Sequence, residues 1–357
     1  MNELSKQELW QALIEQGLVS SELPNHDVLP APWYVRTMQG IAGWIGAFFI
    51  MGFFGAIFDD LIDDEVFALV LGMVLCVIAG FIFRLTRHND FAQQFGLAVS
   101  FAGQGLFMFG LFDLFDHENQ LAFFSLFIFQ AILTLFLANS IHRVLTSLAA
   151  MTALMIFLHG IGIYGLISGI TAMGFALIWS NEQNWTVHGF MLRPIGYGLA
   201  LALLQFEVIH LLLGFDFGDW LHAEKTWMML QAPLIGTALV AITFVWVIIR
   251  LLKKEQIDLN SHTALFALGA ALLICLLSFV AKGMVTALLI LLLGFNSQNR
   301  VLMGLGLCAL LGFLARYYYL LEHTLLFKSI VLFLTGLVLL AIRFALHRCL
   351  YAENHHA

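Results

Sequence analysis

Charge is what this chain has least of: only 11% of its 357 residues are Asp, Glu, Lys or Arg, while 61% are hydrophobic. A water-soluble domain carries about 25% charged residues. A soluble fold is therefore excluded, because no reserve of polar side chains exists to cover its surface. The 16 basic residues form no stripe, which excludes nucleic acid as a partner. Cysteine is sparse, with Cys76, Cys275, Cys308 and Cys349 scattered and no CxxC pair among them. That spacing supports neither a zinc site nor a thioredoxin-like motif, and the four are expected as small buried hydrophobes. There is no Walker A loop, no HExxH and no nucleophile elbow, so the commonest ATPase, zinc-protease and hydrolase signatures are missing. No cofactor is implied.

What the chain does have is long apolar runs whose flanking charges are sorted by side. A bilayer span needs about 20 apolar residues. Segments of that kind run near 39–58, 66–83, 91–112, 121–138, 191–212, 231–251, 301–316 and 325–346, with two overlong runs at 144–180 and 262–295. One set of loops holds Arg84, Arg87, Arg143, Arg193, Lys253, Lys254 and Arg300. The alternate set holds Asp59, Asp60, Asp63, Asp64, Glu65, Asp113, Asp116, Glu118, Asp216, Asp219 and Glu224. The alternation survives only if each overlong run turns back on itself, near His159-Gly160 and near Lys282-Gly283. The expected fold is an all-α polytopic bundle of about twelve spans. The positive-inside rule then puts both termini in the cytoplasm of a bacterial-type inner membrane. Only Lys225, Lys282, Arg316 and Lys328 fall on the acidic side.

Residues 1–38 form a polar head. Ser5 to Glu8 fits a capping box, Leu9, Leu13 and Ile14 share a helix face, and Pro24, Pro30 and Pro32 make an extended connector. The head is too polar for a secretory signal, so the first apolar run is expected to be a retained span. The expected division is a head at 1–38, a membrane domain at 39–348 and a tail at 349–357. Leu111 to Glu118 resembles Gly214 to Trp220 about 103 residues later. Because that offset preserves orientation, it suggests a parallel internal repeat.

Glu207 is the most informative single residue. A carboxylate inside a span costs about 2–3 kcal/mol at mid-membrane and less toward the interface, so it calls for a partner or a function. His210 follows at i+3 on the same face, and Lys282 is a basic exception on the same side of the membrane. Glu207, His210 and Lys282 thus make a candidate proton or cation site. The competing reading is a carboxylate merely satisfied by His210 or a neighbouring helix. A di-iron bundle is excluded, because no second Glu-x-x-His lies in a span. Gly103, Gly105, Gly165 and Gly169 allow close helix approach, and Gln104, Gln130 and Asn139 offer hydrogen bonds between helices.

The last hairpin is dense in polar and aromatic groups: Arg316, Tyr317, Tyr318, Tyr319, Glu322, His323 and Lys328. Tyrosines at a span end form an interfacial belt, and Arg316 with Lys328 suggests an outer-face pocket for an anionic headgroup or a partner segment. This hairpin, ending at Arg343, and the head (Glu8-Leu9-Trp10-Gln11, then Gln16-Gly17-Leu18-Val19) resemble a family of bacterial polytopic inner-membrane proteins with a domain of unknown function. The shared hairpin pattern is Tyr317-Tyr318-Tyr319, Leu321-Glu322, Thr324-Leu325-Leu326 and Lys328-Ser329. The resemblance implies a partner, a smaller membrane-anchored protein with a GDYxxLxY motif, and it supplies no reaction.

Three functions fit. The first is a non-enzymatic component of a membrane complex that meets a periplasm-exposed partner through the Arg316–Lys328 hairpin. The second is a proton-coupled transporter using Glu207 and His210. The third is a polyprenyl-phosphate-dependent glycosyltransferase-like enzyme, whose metal would sit on the acidic run Asp59 to Glu65. Such enzymes have large outer loops, and these loops are short.

Overall fold

The computed structural model describes residues 33–57, 64–86, 89–115, 119–163, 165–185, 189–209, 227–279 and 282–320, with isolated positions at 11, 14–15, 326, 329, 333 and 340. Among them are eleven α-helices, one 3-10 turn at Glu182–Asn184 and no strand. The helices are α1 Trp33–Ile57, α2 Glu65–Leu85, α3 Asp90–Leu114, α4 Asn119–Phe136, α5 Ser140–Gly160 and α6 Gly165–Ser180. Beyond the 3-10 turn come α7 Gly189–Val208, α8 Trp227–Lys254, α9 His262–Ser278, α10 Met284–Asn296 and α11 Arg300–Leu320. Both overlong runs are divided, at Ile161–Ile163 and in the segment before Met284. Most of the head, the second copy of the suggested repeat and the segment near 325–346 lie outside the described residues.

Short polar side chains set where these helices begin. Asp64 Oδ1 accepts from the Phe67 amide at 2.9 Å, Asn89 Oδ1 from Ala92 at 3.1 Å, and Asn139 Oδ1 from His142 at 3.0 Å. Ser261 Oγ accepts from the Ala264 amide at 3.2 Å. Each satisfies a donor that the first helical turn leaves without a partner. Glu65 in the first turn of α2 and Arg84 in its last match the helix dipole at both ends.

Side-chain contacts fix the relative directions. Gln120 reaches the Gly160 carbonyl and Thr134 meets Thr146, so α4 and α5 are antiparallel. Ser147 lies against Gly198 and Thr152 bonds Gln205, so α5 and α7 run parallel. Gly165 packs on Ala232 and Gly169 on Leu239, making α6 and α8 parallel. Asn299 bonds Tyr197 and Thr286 bonds Glu207; because α10 ends just before Asn299, it runs antiparallel to α7.

The largest core joins α6 through α11 around Phe175, Trp179, Leu203, Val240, Leu289 and Leu302, all buried. A second joins α2, α3 and α4 around Phe83, Leu97 and Leu133. The outward faces are equally apolar: Leu276 of α9 is 67% exposed and Phe81 of α2 is 60% exposed. A helix hydrophobic on every side belongs in a bilayer. Among the described residues, five helical stretches are long and apolar enough to cross one: Glu65–Leu85, Asp90–Leu114, Ser140–Gly160, Gly189–Val208 and Gln231–Lys254. Two expectations are corrected. Cys76 and Cys275 are buried, but Cys308 is exposed on the outer face of α11, where an apolar medium accepts a thiol. Gly103 does lie against another helix, whereas a Cβ on Gly105 would meet nothing within 4 Å.

Candidate functional site

Glu207 occupies the last turn of α7, where a carboxylate faces the negative end of its own helix dipole. A neighbour compensates. Thr286 Oγ1, in the first turn of α10, donates to Glu207 Oε1 at 2.8 Å. α10 has no acidic residue in that turn and no side-chain cap; its N-cap is Gly283, at φ +83°. Glu207 is therefore an acceptor that the first turn of α10 finds across the helix interface. Gly283 permits the sharp entry, since a Cβ there would lie 2.9 Å from the Phe313 ring of α11 and in a backbone region that L side chains rarely adopt.

Beside this contact lies a small cavity bounded by α5, α6, α7, α8 and the turn before α10. Glu207, Lys282, Ser168 and Thr237 give it polar walls, and Phe206, Ala232 and Pro233 apolar ones. The space open to water centres is about 30 Å³, room for about two molecules. Pro233 has no amide proton, so the carbonyl four residues earlier in α8 lacks its helical donor. Thr237 Oγ1 donates to the Pro233 carbonyl at 2.9 Å. Lys282 and Glu207 are the ionisable residues lining this space.

The structure thus unites Glu207 and Lys282 and adds Thr286, Ser168 and Thr237, which the sequence did not single out. His210 lies outside the described residues. Of the last hairpin, Arg316 and Tyr318 are half-buried on α11, Tyr317 and Tyr319 belong to the same helix, and Glu322, His323 and Lys328 lie outside the described residues. In the acidic run, Asp64 and Glu65 start α2, and Asp59, Asp60 and Asp63 lie outside the described set.

A family model for a domain of unknown function, DUF4401, matches residues 32–349. The chain belongs to the DUF4401 family. No curated protein and no solved structure matches it.

The DUF4401 chain holds a second polar cluster, toward the opposite end of the bundle and buried between α3, α4 and α5. His142 Nε2 lies 2.8 Å from Ser100 Oγ and 3.2 Å from Gln104 Nε2, and Gln130 Nε2 donates to Gln104 Oε1 at 3.0 Å. Thr134 Oγ1 donates to Thr146 Oγ1 at 2.9 Å. The His142 ring is fully buried between Phe83 and Phe101. Ser100 Oγ and Gln104 Nε2 both lie against Nε2 of His142, while the buried Nδ1 has no hydrogen-bond partner among the described residues. Gln104 and Gln130 act as expected, bonding between helices. Asn139 does so as well, donating to Gln93 Oε1 at 2.8 Å.

Proposed function

We propose that this integral membrane protein is a proton-coupled transporter in which Glu207 is the proton-carrying group. The observation that carries the reading is the Glu207–Thr286 contact at the wall of a water-sized cavity that Lys282 also lines. A carboxylate with only a structural role would be closed off by its partner; this one faces water-sized space. Helix lengths support the same view. α10 has 13 residues and rises about 20 Å, against the roughly 30 Å of a bilayer core. The turn carrying Lys282 then stops short of the membrane surface. Non-helical backbone at that depth is tolerated where it lines a water-filled cavity or is buried in protein. We place the cavity on the periplasmic side of a bacterial inner membrane, because the other ends of α7 and α8 and the start of α11 carry Arg193, Lys253, Lys254 and Arg300.

The test needs no knowledge of the solute. Protein reconstituted on a solid-supported membrane is given a pH jump, and the transient charge displacement is recorded. The wild-type chain should give a transient that Glu207→Asp preserves and Glu207→Gln abolishes, with Glu207→Gln eluting as a folded species of unchanged size. A transient that survives in Glu207→Gln, or none in the wild type, overturns the proposal.

A further inference from the structure

The four helices around the Glu207 cavity fall into two pairs. α5 and α7 are tied along their length. Arg143 Nη1 donates to the Phe190 carbonyl at 3.4 Å, Ser147 lies against Gly198, and Thr152 Oγ1 donates to Gln205 Oε1 at 3.1 Å. α6 and α8 are tied by Gly165 on Ala232, by Gly169 on Leu239 and, just past α6, by Arg250 Nη2 donating to Asn181 Oδ1. Little that is polar joins one pair to the other. Among the described residues, the side-chain bonds across this seam are a long one from Thr171 Oγ1 to the weak acceptor Met151 Sδ, at 3.6 Å, and the Arg193–Glu182 ion pair. At one end the seam holds the cavity, with Met155 and Glu207 on one wall and Ser168 and Thr237 on the other. At the opposite end it is shut. Trp179 of α6 meets the Tyr197 ring of α7 edge-on at 5.3 Å between centroids, and a Cβ on Gly196 would lie 2.6 Å from Trp179 Nε1. Just beyond Trp179, Arg193 Nε donates to Glu182 Oε1 at 2.7 Å.

From this arrangement we infer that the seam between the α5–α7 pair and the α6–α8 pair is the moving interface of transport, with Arg193–Glu182 as its gate at the end away from Glu207. The inference rests on the transporter reading of Glu207. Magnitudes decide which contacts give way. The Arg193 side chain is 62% exposed, so water screens its ion pair and the contact breaks easily. Arg143, by contrast, is buried on helix carbonyls, so the staple within its pair outlasts the gate. The closed end also carries a cost. Trp179 Nε1 is buried with no hydrogen-bond partner among the described residues, and a buried donor left unmade destabilises the state that buries it. Water entering the parted seam satisfies that donor. Packed units that rock about a fixed site need this asymmetry, one end open while a breakable contact closes the other.

The test reads access rather than transport. In a chain whose four native cysteines are replaced by serine, Ser180→Cys puts a thiol where the native Oγ is buried with no partner among the described residues. In nanodiscs, which leave both faces open, it should react with a methanethiosulfonate far more slowly than Asn260→Cys in the exposed connection between α8 and α9. Glu182→Gln and Arg193→Gln should each raise the Ser180→Cys rate about threefold to fivefold, the range an exposed ion pair can supply. The exchange Glu182→Arg with Arg193→Glu should return it to the slow value, which a merely loosened fold would not do. Glu207→Gln should also shift the rate, because one motion serves both ends. Equal rates at Ser180→Cys and Asn260→Cys, indifference to both single variants, or a rise that the exchange leaves in place overturns the gate. A rate that follows the ion pair but ignores Glu207→Gln overturns the shared motion. A pH transient that survives in Glu207→Gln removes the parent reading instead, and the ion-pair result stands apart from it.

Discussion

At the residue scale, Arg143 shows how an apolar bundle accommodates a buried cation. It lies in the first turn of α5, is 6% exposed, and has no carboxylate partner among the described residues. Its Nε donates to the Thr134 carbonyl at 3.2 Å, in the last turn of α4, where the helix leaves carbonyls unpaired and the dipole favours a cation. Its Nη1 reaches the Phe190 carbonyl at 3.4 Å, and the guanidinium lies 5.6 Å from the Phe190 ring centroid. That carbonyl is available for a covalent reason: its helical donor would be the amide of residue 194, which is Pro194. Arg143 is therefore a staple across three helices. Arg143→Ala should destabilise by about 2–3 kcal/mol, the scale of charge-assisted hydrogen bonds and of a buried acceptor left unmade. Pro194→Ala restores the missing donor, so Arg143→Ala should cost about 1 kcal/mol less in that background. Equilibrium unfolding of the four chains in detergent gives the coupling, and simple additivity would refute the link.

At the element scale, α2 and α3 meet along a seam with no room for side chains. A Cβ on Gly72 would lie 2.6 Å from the Gly103 carbonyl oxygen. One on Gly103 would lie 2.6 Å from that of Gly72, and one on Gly110 would lie 2.6 Å from the Glu65 carbonyl oxygen. Between helices in lipid, such close packing replaces the hydrophobic drive that water provides elsewhere. Gly103→Ala should cost about 1–3 kcal/mol, because backbone rather than a movable side chain is in the way. Gly105→Ala, two residues along, meets nothing and should be neutral or up to about 1 kcal/mol stabilising. Thermal unfolding of the two variants side by side separates packing from helix propensity. The sequence made Gly103 and Gly105 look alike because helix azimuth relative to a neighbour is not written in local spacing. The same blindness hid the His142 cluster. Its signal was there, as Ser100/Gln104, Gln130/Thr134 and His142/Thr146 are each polar pairs at i, i+4 on three successive helices. Read one helix at a time, each pair looks like an ordinary hydroxyl or amide in an apolar run.

At the scale of the whole molecule, what was legible was whatever a bilayer enforces. Sorted charges required turns near Gly160 and Gly283, and the helices do end at Gly160 and resume at Met284. Glu207 stood out because hydrocarbon penalises a carboxylate, yet its partner Thr286, 79 positions away, could not, since a threonine in a span normally bonds its own helix. What charge counting also supplies is a side for each end of the bundle, and this is open to direct measurement. The turn at Ile161 lies at the same end as Glu207, by the parallel run of α5 and α7, while Asn260 sits in the exposed connection between α8 and α9. In a chain whose four native cysteines are replaced by serine, Ile161→Cys should react with a membrane-impermeant maleimide in right-side-out vesicles. Asn260→Cys should react only after permeabilisation. The opposite pattern would turn the Glu207 cavity toward the cytoplasm and reverse the direction in which a proton enters it. Labelling of both from one side would break the alternation across α6, α7 and α8, the helices that separate the two positions.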